Sequence, residues 1–325
     1  MRSVTARPPL RDRYALAEAI GHGVDASLYR ATDLHSGETV TVKRYDHRVR
    51  QDIDFVVNFR RNARQARALR HPHVLRMLAY GYTDEGYYTV SPYLDGGNLS
   101  RYIPLRVPSR GAEVSREALE ILTQACLGLD YIHQAGLLHR NVKPANILLR
   151  ADGATVVADM AMLHNRVQAS PDPDMSLVSY ASPEQRAGDE PTPASDIYAL
   201  GVMLYQVCTG QLPVAAPGSA ALDDPSVRDE PLSPRSLNPR IDPMLEEVIM
   251  HCLAGEPARR YAAASDLAVA LAECQAVLGQ GVAAASPRAG AIAGAAPGRP
   301  RVAALRTLAH RVRRPAATDN RKSTA

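Results

Sequence analysis

The sequence predicts an α+β fold in two lobes, a small strand-rich one followed by a larger, mainly helical one. Three observations predict it. From Tyr14 to about Tyr93 the apolar residues alternate as in strands, interrupted by one helical stretch near Ile53–Leu69. From Leu99 onward apolar residues recur with the period of a helix. After Gly279 the composition shifts to Ala, Gly, Pro and Arg, which reads as linker.

In chain order, residues 1–13 are basic, contain Pro8-Pro9, and read as a disordered leader. The runs AEAIGHGVDASLYRATD and ETVTVKRYD predict the first strands. Two further apolar runs, VLRMLAYGYTD and GYYTVSPYL, are separated by Asp84-Glu85-Gly86, a hairpin turn. In EALEILTQACLGLDYIH, Leu122, Ala125, Cys126, Leu129 and Ile132 share one apolar helix face. The stretch SDIYALGVMLYQVCTG is apolar on most sides, as a helix inside a core is. PMLEEVIMHCL and ASDLAVALAECQAVL complete the lobe as amphipathic helices. The expected boundaries are a leader 1–13, a folded unit 14–278 split at 93/94, and a tail 279–325.

Composition bounds the function. The 325 residues are 22% charged and 46% hydrophobic, as in a globular chain. No run of eighteen apolar residues exists, so no membrane-spanning helix is expected, and the N-terminus lacks the apolar stretch of a secretory signal. Cys126, Cys208, Cys252 and Cys274 are far apart in apolar stretches with no CxxC, and read as buried thiols of a reducing, cytoplasmic compartment. The net charge of +4 hides a split: from Gly281 to Ala325 nine Arg and Lys residues oppose Asp319, giving +8 there and −4 for residues 1–280. A folded body of that sign does not point to nucleic acid.

The chemistry-bearing residues come in a fixed order. Gly21-His22-Gly23-Val24-Asp25-Ala26 lies between two strands and not before a helix, which argues against a dinucleotide fold. Lys43 ends the strand Val40-Thr41-Val42. His139-Arg140-Asn141-Val142-Lys143-Pro144-Ala145-Asn146 precedes Ile147-Leu148-Leu149, and Asp159 follows thirteen residues after Asn146. Ser182-Pro183-Glu184, Asp196–Gly201 and Glu256-Pro257-Ala258-Arg259-Arg260-Tyr261 come last.

In these residues, from about Tyr14 to Leu278, the chain resembles the eukaryotic-like Ser/Thr protein kinases of bacteria. The resemblance implies a bilobal protein-kinase fold with a small antiparallel sheet and one helix in the N-lobe. It implies a nucleotide site at Gly21, Gly23, Ala26, Leu28, Thr41, Lys43, Leu148 and a hinge Pro92-Tyr93-Leu94 that offers the Pro92 C=O and Leu94 N–H to adenine. It implies ATP, with Mg²⁺ held by Asn146 and Asp159. Lys143 matches the catalytic-loop lysine, and His139 and Arg140 belong to the same loop. Arg260 is expected to pair with Glu184, and Asp196 to brace the backbone of the His139 loop.

The chain also departs from the family. The catalytic aspartate aligns with Asn141, which can orient a hydroxyl but takes no proton at neutral pH; general-base help is worth roughly 10²–10⁴ in rate, about 3–5 kcal/mol. The helix glutamate that pairs with the strand lysine aligns with Asn62, and no acidic residue occurs between Phe55 and Thr83. Lys43 is therefore expected to pair with Asp159 in the absence of nucleotide. The metal-binding triplet reads Asp159-Met160-Ala161, with methionine filling the aromatic slot and alanine restricting φ. A steadying threonine aligns with Leu177, and Ser170, Ser176 and Ser179 are phosphorylation candidates whose plainer reading is solvation. Asp25 at the loop tip and the larger Leu28 and Thr41 at the adenine positions weigh against nucleotide binding.

The leading reading is a pseudokinase, an ATP-binding regulatory or scaffolding module with a protein partner. Its rival is a slow Ser/Thr kinase that uses Asn141 for positioning; the third reading is an interaction module that binds no nucleotide. Two basic features stand apart. Arg60, Arg64 and Arg67 share a helix face, read first as solvated surface and second as a dock for an acidic partner. The tail stretch RPRVAALRTLAHRVRRP reads first as disordered and second as a basic amphipathic helix for an anionic membrane surface or acidic partner. The histidines His22, His35, His47 and His71 show no metal spacing.

Overall fold

The computed structural model describes residues 10–23, 26–46, 53–103, 114–160, 178–213 and 231–284, with the backbone alone at 54 and 279–284. Strands β1 (Tyr14–His22), β2 (Ala26–Asp33), β3 (Thr39–Tyr45), β4 (Ala79–Thr83) and β5 (Gly86–Pro92) form an antiparallel sheet of order β1-β2-β3-β5-β4. Side-chain alternation divides β3: Val40 and Val42 enter a core with Tyr14, Tyr88 and Val90, so Thr41 and Lys43 take the other face. The turn at Asp84-Glu85 falls at the expected place, and Gly86 there is obligatory. Its φ is +130° and a Cβ would stand 2.9 Å from the Tyr45 carbonyl oxygen.

Helix α1 (Ile53–Ala68) lies against this sheet through Phe55, Phe59, Ala63 and Ala66. Phe59 meets Tyr87 with ring centroids 4.8 Å apart and Tyr45 at 5.7 Å, so packed aromatic rings fix the helix on the sheet.

The larger lobe is built on two helices. α2 (Arg116–Gln134) is capped by Ser115, whose hydroxyl accepts from the Ala118 N–H, and it buries Leu122, Ala125, Cys126, Leu129 and Ile132 as its period requires. After the short α3 (Pro183–Ala187), α4 (Pro193–Thr209) is buried nearly all round and ends at Gly210 in the left-handed conformation. α5 (Pro234–Leu237), α6 (Pro243–Cys252) and α7 (Ala264–Ala284) complete it, with all four cysteines buried and free.

The lobes are stitched by backbone. Between them the short hairpin of β6 (Ile147–Leu149) and β7 (Thr155–Val157) receives a strand-like bridge from the segment before β4: the Leu75 N–H donates to Val157 O and the Val157 N–H to His73 O, each 2.9 Å. Gly128 of α2 presses on the same segment; a Cβ there would sit 2.3 Å from the His73 oxygen.

The described structure reaches past two expected boundaries. It includes Leu10–Arg13, inside the expected leader. Leu10 is buried beside Tyr14, Arg11 donates to the Tyr82 carbonyl, and Arg13 grips both Asp33 oxygens through Nε and Nη2. An apolar plug and two arginine contacts outweigh the leader-like composition at residues 10–13. At the other end the α7 backbone runs on to Ala284, past the expected 278/279 boundary. Residues 1–9 and the basic tail beyond 284 lie outside the described residues, as do Asp25, His47, Ala161, Ser170, Ser176 and Leu177.

Candidate functional site

A cleft of about 540 Å³ opens between the lobes. Its apolar wall is made by Leu28, Thr41, Pro92, Leu94 and Leu148, and its polar residues include Lys43, Asn141, Lys143, Asn146 and Asp159. Gly21, Gly23 and Ala26 line it as well, with the Gly23 N–H donating to Ala26 O across the loop tip. Ala26, in place of a third glycine, is buried in the core under α1. Volume and lining fall in the range of small-molecule sites, apolar with a few convergent polar groups.

Asp159 is the hub. It follows β7, which the His73–Leu75 bridge holds under the small lobe, and it sits in the left-handed conformation at φ +61°. Non-glycine residues adopt this at a cost of about 1–3 kcal/mol, which marks a position over-determined by its surroundings. Lys43 Nζ is ion-paired to Asp159 Oδ1, with Lys43 19% and Asp159 25% exposed. The Asn141 side-chain N–H₂ donates to Asp159 Oδ2 and to its backbone oxygen, each at 3.4 Å. Both carboxylate oxygens are thus met by donors of the chain itself. The Asn146 amide donates to the Asn141 carbonyl at 2.8 Å, and the Ala158 N–H to Asn146 O at 2.8 Å, which fastens this loop to the Asp159 segment.

An aspartate in place of Asn141 would face Asp159 as a like charge, whereas the amide faces it as a donor. Asn62 stands half-buried on α1 and is not among the residues of the cleft wall, to which α1 contributes Ala66. Met160 packs against the cores of both lobes, filling the slot left by the family's aromatic residue.

A second network holds the loop from behind. Asp196, buried in α4, accepts the backbone N–H of His139 at 2.9 Å and of Arg140 at 2.8 Å. His133 Nε2 joins it at 2.8 Å. Burial pushes the Asp196 carboxyl up, and the His133 contact with these amides more than reverses it, so its pKa lies below the ordinary value. His139 is fully buried, its Nε2 on the Ala158 carbonyl, and burial pulls its pKa down: a structural imidazole, not a proton carrier. Further away, Glu184 accepts from Nη1 and Nη2 of Arg260 at 2.7 and 2.8 Å, and from the Ser195 hydroxyl at 2.7 Å. Burial raises this carboxyl, but those donors bring it down to about 2. The Arg260 guanidinium also lies over the Tyr198 ring, 4.9 Å from its centroid.

The cleft therefore assembles the nucleotide-site and loop residues read from the sequence, while Asn62, Glu184, Asp196 and Arg260 lie outside its wall. Sequence reasoning missed His133 and Ser195. Each belongs to no motif of its own, and no spacing distinguishes it from the other polar residues of its helix. Asp159 and Asn146 offer carboxylate and amide oxygens, the hard donors Mg²⁺ takes, and the cleft volume suits a nucleotide, so the residues present fit both groups. Among the described residues no three His, Cys, Asp or Glu side chains are grouped to hold a metal by themselves.

Comparison with known proteins agrees with this geometry. The sequence profile of the protein kinase domain matches residues 14–270. The serine/threonine-protein kinase PknB of Mycobacterium leprae is 32% identical over 272 residues, covering 81% of this chain and 43% of PknB. PrkC of Bacillus subtilis, also a serine/threonine-protein kinase, is 32% identical over 260 residues, covering 78% of this chain and 39% of PrkC. The chain thus spans about two-fifths of the length of these curated relatives. Among solved structures, the PknI kinase domain of Mycobacterium tuberculosis is similar with a TM-score of 0.65 at 27% identity, over 81% of this chain and 96% of that one.

Proposed function

Since this chain belongs to the protein kinase family, we infer that it works as an ATP-binding regulatory or scaffolding domain that transfers phosphate poorly or not at all. The observation that carries the reading is the inward-turned Asp159. One of its oxygens is held by Lys43 and the other by Asn141, in a chain whose helix glutamate is Asn62.

The chemistry follows from the residues. Bound magnesium would neutralise phosphate oxygens and hold them in line. For that, Lys43 must leave Asp159 and turn to the phosphates, and with Asn62 in the helix position no carboxylate of α1 takes it over. Asn141 orients an incoming hydroxyl through its amide but leaves the proton where it is, so the roughly 10²–10⁴ of general-base help is lost. Positioning and charge neutralisation supply most of phosphoryl transfer, so a slow Ser/Thr kinase is the second reading. It is favoured by the presence of Lys43, Lys143, Asn146 and Asp159 in one cleft.

Radiolabelled autophosphorylation decides between them, with wild type run beside Lys43→Met and Asn141→Asp, and thermal shift with ATP and Mg²⁺ reporting binding. The first reading expects a nucleotide shift, negligible labelling, and a rise with Asn141→Asp. Strong wild-type labelling abolished by Lys43→Met establishes the second. No shift at millimolar ATP removes nucleotide binding from both.

A further inference from the structure

The outward face of α1 is built unlike an ordinary solvated surface. Ile53, Val57, Arg60, Arg64 and Arg67 stand at i, i+4, i+7, i+11 and i+14, within about 80° of one another around the axis. Ile53 is 77% and Val57 69% exposed, and the arginines are exposed too. The opposite face is committed to the sheet, with Phe55, Phe59 and Ala63 at 1% exposure or less. The exposed stripe is therefore spare to the fold.

Among the described residues its charge is uncompensated. No acidic residue occurs from Phe55 to Thr83, and among the described residues Arg60, Arg64 and Arg67 make no ion pair. Like charges three or four residues apart on a helix destabilise it by about 0.2–0.5 kcal/mol per pair, and a surface kept only for solubility mixes the two signs. At the C-terminal end of the helix Arg64 and Arg67 of the stripe line a shallow depression with Ala68, Arg70 and Tyr80.

We propose that this face of α1 is a docking site for an acidic protein segment, apolar at one end and carboxylate-rich along the rest. The order of the stripe defines the occupant. Apolar side chains meet Ile53 and Val57, and carboxylates meet Arg60, Arg64 and Arg67 in the forked pairing that guanidinium groups favour. The fourteen steps from Ile53 to Arg67 rise about 21 Å, the reach of some six residues of extended chain. A lipid surface fits less well. It requires an apolar stripe along the whole helix, whereas here apolar and basic residues are segregated along the axis and the long apolar face is already under the sheet. The site is independent of phosphate transfer, so it stands whichever reading of the cleft holds.

The test uses the full chain and a fluorescein-labelled peptide of two leucines followed by four glutamates, beside the same peptide with glutamines, read by fluorescence anisotropy. The glutamate peptide is expected to bind, at least tenfold more weakly in 300 than in 50 mM NaCl. Arg60→Glu/Arg64→Glu is expected to weaken it at least tenfold, and Ile53→Ser/Val57→Ser at least threefold. Residues 279–325 are present in every variant, so a change tracks α1 and not the basic tail. Circular dichroism checks the fold, and Arg60→Gln/Arg64→Gln replaces the reversal if that variant unfolds. Equal binding of the glutamine peptide, indifference to the arginine changes, or no binding up to 1 mM overturns the proposal. So does a loss confined to phosphatidylserine vesicles, which assigns the face to membrane.

Discussion

Replacing Asn141 by aspartate restores the family residue, yet in this structure it should destabilise the protein. The amide that now donates to Asp159 Oδ2 at 3.4 Å becomes a second carboxylate. The lost hydrogen bond is worth about 1 kcal/mol. Like charges about 4 Å apart repel by about 4 kcal/mol at an effective dielectric of 20 and about 1 in water. With Asp159 25% exposed and Lys43 at its other oxygen, about 2 kcal/mol is the reasonable middle. The sum is about 3 kcal/mol. It has a ceiling, because the introduced carboxyl escapes the repulsion by binding a proton. From an ordinary pKa near 4 that costs about 4 kcal/mol at pH 7. The sign follows: the folded variant binds a proton more readily than the unfolded one, so its deficit against wild type shrinks as pH falls from 7 toward 4. In urea titrations at pH 7 and pH 5, Asn141→Asp should lose about 3 kcal/mol at the higher pH and visibly less at the lower. In thermal melts at pH 7 that is about 6–12 °C. A variant within 0.5 kcal/mol of wild type at pH 7, or a deficit that grows on acidification, would refute the facing of Asn141 on Asp159.

Further outcomes are expected elsewhere. Glu184→Gln should cost about 3 kcal/mol at pH 7, because the carboxyl is held at about 2 against an ordinary 4.5; urea denaturation at 25 °C checks it. That contribution is complete above pH 4.5 and falls as pH drops toward 2, to about 1.4 kcal/mol at pH 3, so the gap to wild type should narrow there. Gly128→Ala should destabilise severely or prevent folding, since its Cβ would meet the His73 carbonyl oxygen at 2.3 Å, whereas Gly255→Ala, with nothing within 4 Å, should be nearly silent; expression and melting temperature compare the two. Asp196→Asn should leave the His139 and Arg140 amides poorly held and lower the melting point by several degrees.

The two lobes were legible because strand alternation and helical periodicity are both strong here. The Lys43–Asp159 pair was legible for a different reason: with no acidic residue between Phe55 and Thr83, the lysine had to find its carboxylate elsewhere. The turn of the Asn141 amide onto Asp159 was not legible, because it depends on the φ of +61° at Asp159, which no residue type announces. Nor was the role of His133, one residue before the end of α2, whose partner lies 63 positions on. Leu10–Arg13 misled because composition there is leader-like while three side chains happen to find partners. Local pattern reports elements; contacts across long loops are settled by geometry that pattern does not carry.

The Asp196 clamp grips peptide amides, and every residue type but proline supplies those alike. A change at position 141 therefore leaves the clamp itself in place, and its cost falls on the contact with Asp159. Asparagine and aspartate codons differ by a single base, so this chain stays one point mutation from a carboxylate at that position. Any ligand that recognises the mould of the loop, rather than its charge, should treat the two versions as the same object.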